Sequence, residues 1–142
     1  MNAVKRELLP DGQVRLSAGN CTFVYRRLRA GALLVTISGD DRGDFGQTTL
    51  DEIRMEILRT KPIELFVDLR AATGAAVSVS DEWTKFFSTN QEHLKRVSIL
   101  VGSKIISLTV AIAQHLSRTG NLIQIYSDAE TFDARVREAT PA

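Results

Sequence analysis

The stretch from Lys61 to Glu92, KPIELFVDLRAATGAAVSVSDEWTKFFSTNQE, constrains the fold more than any other part of the chain. Ile63, Leu65, Phe66, Val67 and Leu69 make a short, nearly continuous apolar run behind Pro62. A strand covered on both faces has that composition. Asp68 and Arg70 fall at its C-terminal end, where open parallel sheets carry their sites. Ala71, Ala72, Thr73, Gly74, Ala75 and Ala76 follow with almost no side-chain bulk and read as a loop. Val79, Trp83, Phe86, Phe87 and Leu94 then recur at helical spacing.

The flanking segments repeat this grammar. Met1 to Asp11 reads as a loosely held lead-in closed by the turn Pro10, Asp11, Gly12. Val14 and Leu16 begin a short strand, and clearer strands follow at Cys21 to Leu28 and Ala32 to Ser38. The short connection Arg29, Ala30, Gly31 makes these two an antiparallel hairpin. A helix is expected from about Thr48 to Thr60, capped by Thr48 with Asp51 or by Thr49 with Glu52, and Pro62 prevents its continuation. The second helix is expected over Val79 to Lys95, with Ser78 and Asp81 at capping-box spacing and Ser80 as a competing cap.

A short apolar strand, Val97 to Val101, leads through Gly102 and Ser103 into a third helix that ends near Gly120. In that helix Ile105, Ile106, Leu108, Val110, Ile112 and Leu116 cover most of the circumference. It is therefore either sandwiched deeply or carries an exposed apolar stripe. Leu122 to Tyr126 is the last strand, a helix from Asp128 to about Glu138 begins with Ser127 and Glu130 at capping spacing, and Ala139 to Ala142 is a tail. The expected fold is α/β: a mixed, mostly parallel sheet of about five strands with an N-terminal β-hairpin as its antiparallel edge, and about four helices. One domain spanning residues 1–142 is expected.

Composition excludes several classes. A net charge of +1 gives no general attraction to nucleic acid or an anionic membrane. The lone Cys21 has no internal disulfide partner, and no Cys/His cluster has metal-ligand spacing. The N-terminus has no apolar signal core and no segment reaches membrane-span length. A cytoplasmic, soluble protein without cofactor or metal is expected. No motif specifies a reaction, so the chain is expected to be non-enzymatic.

The element order and the residues Asp68, Leu69, Arg70, Thr73 and Gly74, followed by Trp83, resemble the STAS domain and within it the SpoIIAA-like group. That fold is shared by bacterial sporulation anti-sigma-factor antagonists and transporter tails. The resemblance implies a regulatory module acting by protein–protein contact, with a phosphorylatable serine at the start of the helix after the central strand. Ser78 stands nearest that place, although the acidic residue and glycine of the family motif are missing from Ala76, Val77, Ser78, Val79. The simpler reading makes Ser78 or Ser80 a helix cap. The resemblance also implies a small apolar ligand, for which Trp83, Phe86 and Phe87 with the third helix are the candidate walls; ordinary helix-to-sheet packing is the simpler alternative.

The expected partner surface comprises Arg70, Thr73, Gly74, Ser78 and Ser80, extended by Asp40 to Gly43 and by Gly102 to Lys104. Self-association through the hairpin edge or the third helix is a further expectation. Two other patterns carry possible chemistry. Asp40, Asp41, Asp44, Asp68 and Lys104 parallel the acids and lysine of a phospho-accepting receiver domain, against solvated turn residues as the plainer account. Arg26, Arg27 and Arg29 form a basic cluster suited to protecting an edge strand or meeting an acidic partner.

Overall fold

Tight turns, with apolar alternation in β2 to β4, build an antiparallel meander of β1 (Lys5–Leu8), β2 (Val14–Ala18), β3 (Cys21–Arg29) and β4 (Ala32–Asp41). The continuous apolar runs that follow are the parallel strands β5 (Ile63–Ala75), β6 (Leu94–Val101) and β7 (Ile123–Tyr126). The computed structural model describes residues 3–141. Spatial order repeats chain order from β1 to β7, so β5 is interior, between β4 and β6.

Helices α1 (Thr48–Thr60), α2 (Val77–Asn90) and α3 (Lys104–Ser117) connect the parallel strands, and α4 (Ala129–Ala139) follows β7. Right-handed crossovers between strands in unbroken order place the connecting helices on one face. The larger core lies there: Leu50 and Ile53 of α1, Phe86 and Phe87 of α2, and Ile106 and Val110 of α3 pack with Leu65, Val67, Val97 and Ile99 of the sheet. The opposite face carries α4, whose Phe132 and Ala139 cluster with Leu28, Ala32, Phe66 and Leu100. Period-two alternation in β5 feeds both layers, Leu65 and Val67 to one side and Phe66 to the other.

The sheet thus has seven strands, not five. One of the additional strands, β1, lies in the expected lead-in, of which Met1 and Asn2 fall outside the described residues. The KREL segment has no apolar period, and ladder hydrogen bonds to β2 order it instead. Because β2 flanks it, β3 is not the antiparallel edge over Cys21–Tyr25, which removes the hairpin edge as a route to self-association there. Two of the clustered arginines are engaged in ion pairs: Arg27 Nη2 lies 2.8 Å from buried Glu56 and Arg29 Nη2 lies 3.4 Å from Glu64. Ala139 closes α4 as a buried residue rather than opening a tail, and Ala142 lies outside the described residues.

Helix ends also differ from expectation. The N-cap of α1 is Gln47 and that of α2 is Ala76, neither with a side-chain cap bond. Ser103 caps α3 by accepting from Ile106 N, and Asp128, not Ser127, caps α4 by accepting from Glu130 N and Thr131 N. α2 stops at Asn90; after a 3-10 turn, Gln91–His93, Leu94 and Lys95 already belong to β6.

Candidate contact surface and apolar cavity

The C-terminal ends of β4, β5 and β6 meet along one rim of the sheet. The small-residue stretch there is not a loop. β5 continues through Ala75, with Ala71 and Ala72 opposite Ser38 and Gly39, and Gly74 and Ala75 opposite Asp40 and Asp41. Two register shifts interrupt this ladder, and its close approaches explain the missing bulk. A Cβ on Gly74 would lie 2.9 Å from Asp40 Oδ1, and one on Gly102, beyond β6, would lie 2.6 Å from the Arg70 carbonyl oxygen.

Val77 opens α2 and is 78% exposed, with exposed Ser78 beside it. Ser78 does not cap the helix, since the chain enters one residue earlier with Ala76 extended. Its hydroxyl faces the β4–α1 turn, 3.9 Å from the Cβ position of Gly43. Arg42 of that turn pairs with Asp40, Nη2 to Oδ1 at 2.9 Å, and lies near Gly74. Thr73 is exposed, whereas Ser80 is half-buried and turns toward the interior. Arg70 is exposed but engaged: its guanidinium bonds Asp68 on its own strand and Asp133 on α4. The hydrogen bonds to Asp133 and Asp68 hold its pKa above the ordinary arginine value.

Behind this rim, between the sheet and the α2–α3 pair, lies an apolar cavity of about 90 Å³. Trp83, Phe87, Val67, Ile99, Ile106 and Val110 contribute to its wall. Of the three expected aromatic walls, Phe86 is not among the lining residues: it is buried in the α1–α2 packing, with the Arg54 guanidinium 5.3 Å from its ring centre. One charged residue lines the cavity, Asp41, which is 6% exposed and which sequence reasoning placed in a solvated turn. Burial pushes its carboxyl pKa up, Asp44 and Asp40 push the same way, and the hydrogen bond from Gly43 N opposes them. Its signal in the sequence was its place at the end of an apolar strand, but nothing there fixed its direction.

The receiver-like acids do not converge. Asp41 belongs to the cavity side, while Asp68 follows Phe66 on the α4 side and is engaged by Arg70. Among the described residues no group of three His, Cys, Asp or Glu side chains is placed to hold a metal ion.

α3 presents its other apolar flank outward. Ile105 is 71% and Leu108 64% exposed, with Ile112 and Leu116 continuing the line. Of the two expectations for this helix, the exposed stripe is the one observed. Among the described residues no helix is long and apolar enough to cross a membrane.

No family model and no curated protein matches the chain. Solved structures do. A crystal structure of an anti-sigma factor antagonist from Mycobacterium paratuberculosis superposes with a TM-score of 0.60 at 14% identity, covering 82% of this chain and 94% of that one. An uncharacterised protein with a SpoIIAA-like fold from Shewanella loihica gives 0.51 at 16% identity, covering 95% and 93%. The chain has a SpoIIAA-like fold. Within this SpoIIAA-like frame the exposed rim and the cavity lie on either side of the same short segment, Ala75 to Ser80.

Proposed function

We propose that this SpoIIAA-like chain is a non-enzymatic regulatory or scaffolding module of one domain, acting through protein–protein contact at the end of β5 and the start of α2. The observation that carries the reading is Val77 with Ser78: an apolar side chain and a hydroxyl, both exposed, at a helix start that neither one caps. The fold likeness to an anti-sigma factor antagonist supports a regulatory role. Thr73 and the Asp40–Gly43 turn extend the surface. Arg70 supports it from behind, because its guanidinium is committed to Asp68 and Asp133.

Ser78 is the candidate phosphate acceptor in this reading. Free N–H groups in the first turn of α2 favour an added anion. Arg42 in the neighbouring turn supplies a cation, and Asp40 and Asp41 oppose it. The test is native isolation from the source cell with mass spectrometry for bound proteins and phosphoserine, comparing the wild type with Val77→Asp and Ser78→Glu. A specific protein held by the wild type and lost from both variants, with melting temperatures unchanged, is the expected result. Retention by both variants would remove the contact surface from this rim.

The cavity favours a second reading, a carrier or sensor of a small apolar ligand with Trp83 and Phe87 as walls. Self-association belongs with the outer stripe of α3, which leaves apolar area to cover.

A further inference from the structure

We infer that a basic bowl at the opposite end of the sheet, beside the C-terminal half of α4, binds a phosphate group. It lies away from the proposed protein contact in both face and rim, so neither reading depends on the other. An open concavity of about 390 Å³ there is lined by Arg29, Glu64, Lys95, Arg96, Arg135 and Glu138. The strand register builds one wall: Glu64 and Arg96 are partners across β5 and β6. Period two from Phe66 and Leu100, which pack with α4, puts both on the α4 face. Arg29 joins them from the end of β3, and Arg135 and Glu138 form the α4 wall, three residues apart on one side of the helix.

Four cationic groups share the bowl with two carboxylates, an excess of two positive charges. Arg29 and Glu64 account for one of each, Nη2 to Oε1 at 3.4 Å. Among the described residues no ion pair or side-chain hydrogen bond engages Lys95, Arg96 or Arg135. The chain supplies no acid on the β6 side either, since none occurs between Glu92 and Asp128. Uncompensated cations in one concavity draw anions to it. Guanidinium forks match the oxygens of a phosphate, and a lysine adds a point charge. A phosphate near its dianionic form meets the whole excess, whereas a carboxylate meets half of it. Glu138, in the same wall and unpaired, repels such a ligand and gives the site a test of sign.

The experiment titrates the full chain with inorganic phosphate, glycerol 3-phosphate, acetate and chloride at matched ionic strength, reading the backbone amide resonances of Lys95, Arg96 and Arg135. Either phosphate should give saturable shifts at these amides, with acetate weaker and chloride producing none beyond the salt effect. Tighter binding of glycerol 3-phosphate supports an ester as the ligand, and tighter binding of inorganic phosphate supports the free ion. Arg96→Gln with Arg135→Gln should weaken phosphate binding about tenfold, as loss of charge-assisted hydrogen bonds implies. Glu138→Gln should tighten it about twofold, the scale of an exposed charge interaction. Equal shifts from chloride, or acetate binding as tightly as phosphate, would overturn the inference. So would phosphate binding unchanged in the double variant or weakened by Glu138→Gln. The wild-type series and Glu138→Gln decide the matter even where the double variant fails to fold.

Discussion

Gly39 has the least freedom of any residue near the rim. A Cβ there would sit 1.9 Å from the Asn20 carbonyl oxygen, a backbone atom with no rotamer to escape by, and its φ of +88° already disfavours a side chain. Gly39→Ala should destabilise the protein by at least about 2 kcal/mol, measured by urea unfolding. Cys21 makes a second prediction. Burial, then Asp41 and Asp40, push its thiol up to about 12 from an ordinary 9.0. The unfolded chain therefore loses this proton first as pH rises. The contribution is complete below about pH 9 and disappears by about pH 12. Tyr25, raised chiefly by burial, acts in the same direction. Urea unfolding between about pH 8 and about pH 11 should show stability falling with pH, and a shallower fall in Cys21→Ala.

Among the elements, α2 and α3 begin differently. Ser103 accepts from Ile106 N, so Ser103→Ala should cost about 1 kcal/mol. Ser78 caps nothing, and Ser78→Ala should stay within about 0.5 kcal/mol of wild type in the same melts. The outer stripe of α3 gives a complementary test. If this stripe mediates the proposed self-association, Leu108→Glu with Ile112→Glu should remove any concentration dependence in light scattering while leaving stability nearly unchanged, since Leu108 is exposed and Ile112 half-exposed.

Much of this was readable beforehand. Ile63 to Leu69 reads as an interior strand because only double-sided burial selects so unbroken an apolar run. Its continuation through Ala75 was hidden, because alanine, threonine and glycine there answer to the close approach of β4, which leaves no period. β1 was missed for the same reason: KREL is ordered by its partner strand, not by burial of its own. Trp83 and Phe87, recognisable by their helical spacing, do line the cavity, while Phe86 does not. Asp41, also in its wall, carried no such signal, because its placement there is tertiary.

At the scale of the whole molecule, the two faces of the sheet are held unequally. Three helices share the larger core, whereas α4 rests on a small cluster around Phe132. Phe132→Ala should cost about 3–5 kcal/mol by removing the centre of that cluster. Asp133→Ala breaks an ion pair whose members are both about two-fifths exposed, and should cost no more than about 1 kcal/mol, both compared by thermal and chemical denaturation. Phe132, then, anchors α4, and the ion pair to Arg70 is a second, weaker tie.

The same geometry bears on α3, which lines the inside of the cavity with Ile106 and Val110 and faces outward with Ile105 and Leu108. A helix is a stiff rod, so whatever settles within and pushes on its inner side must also tilt its outer one. Occupancy and companionship would then be two readings taken from a single lever.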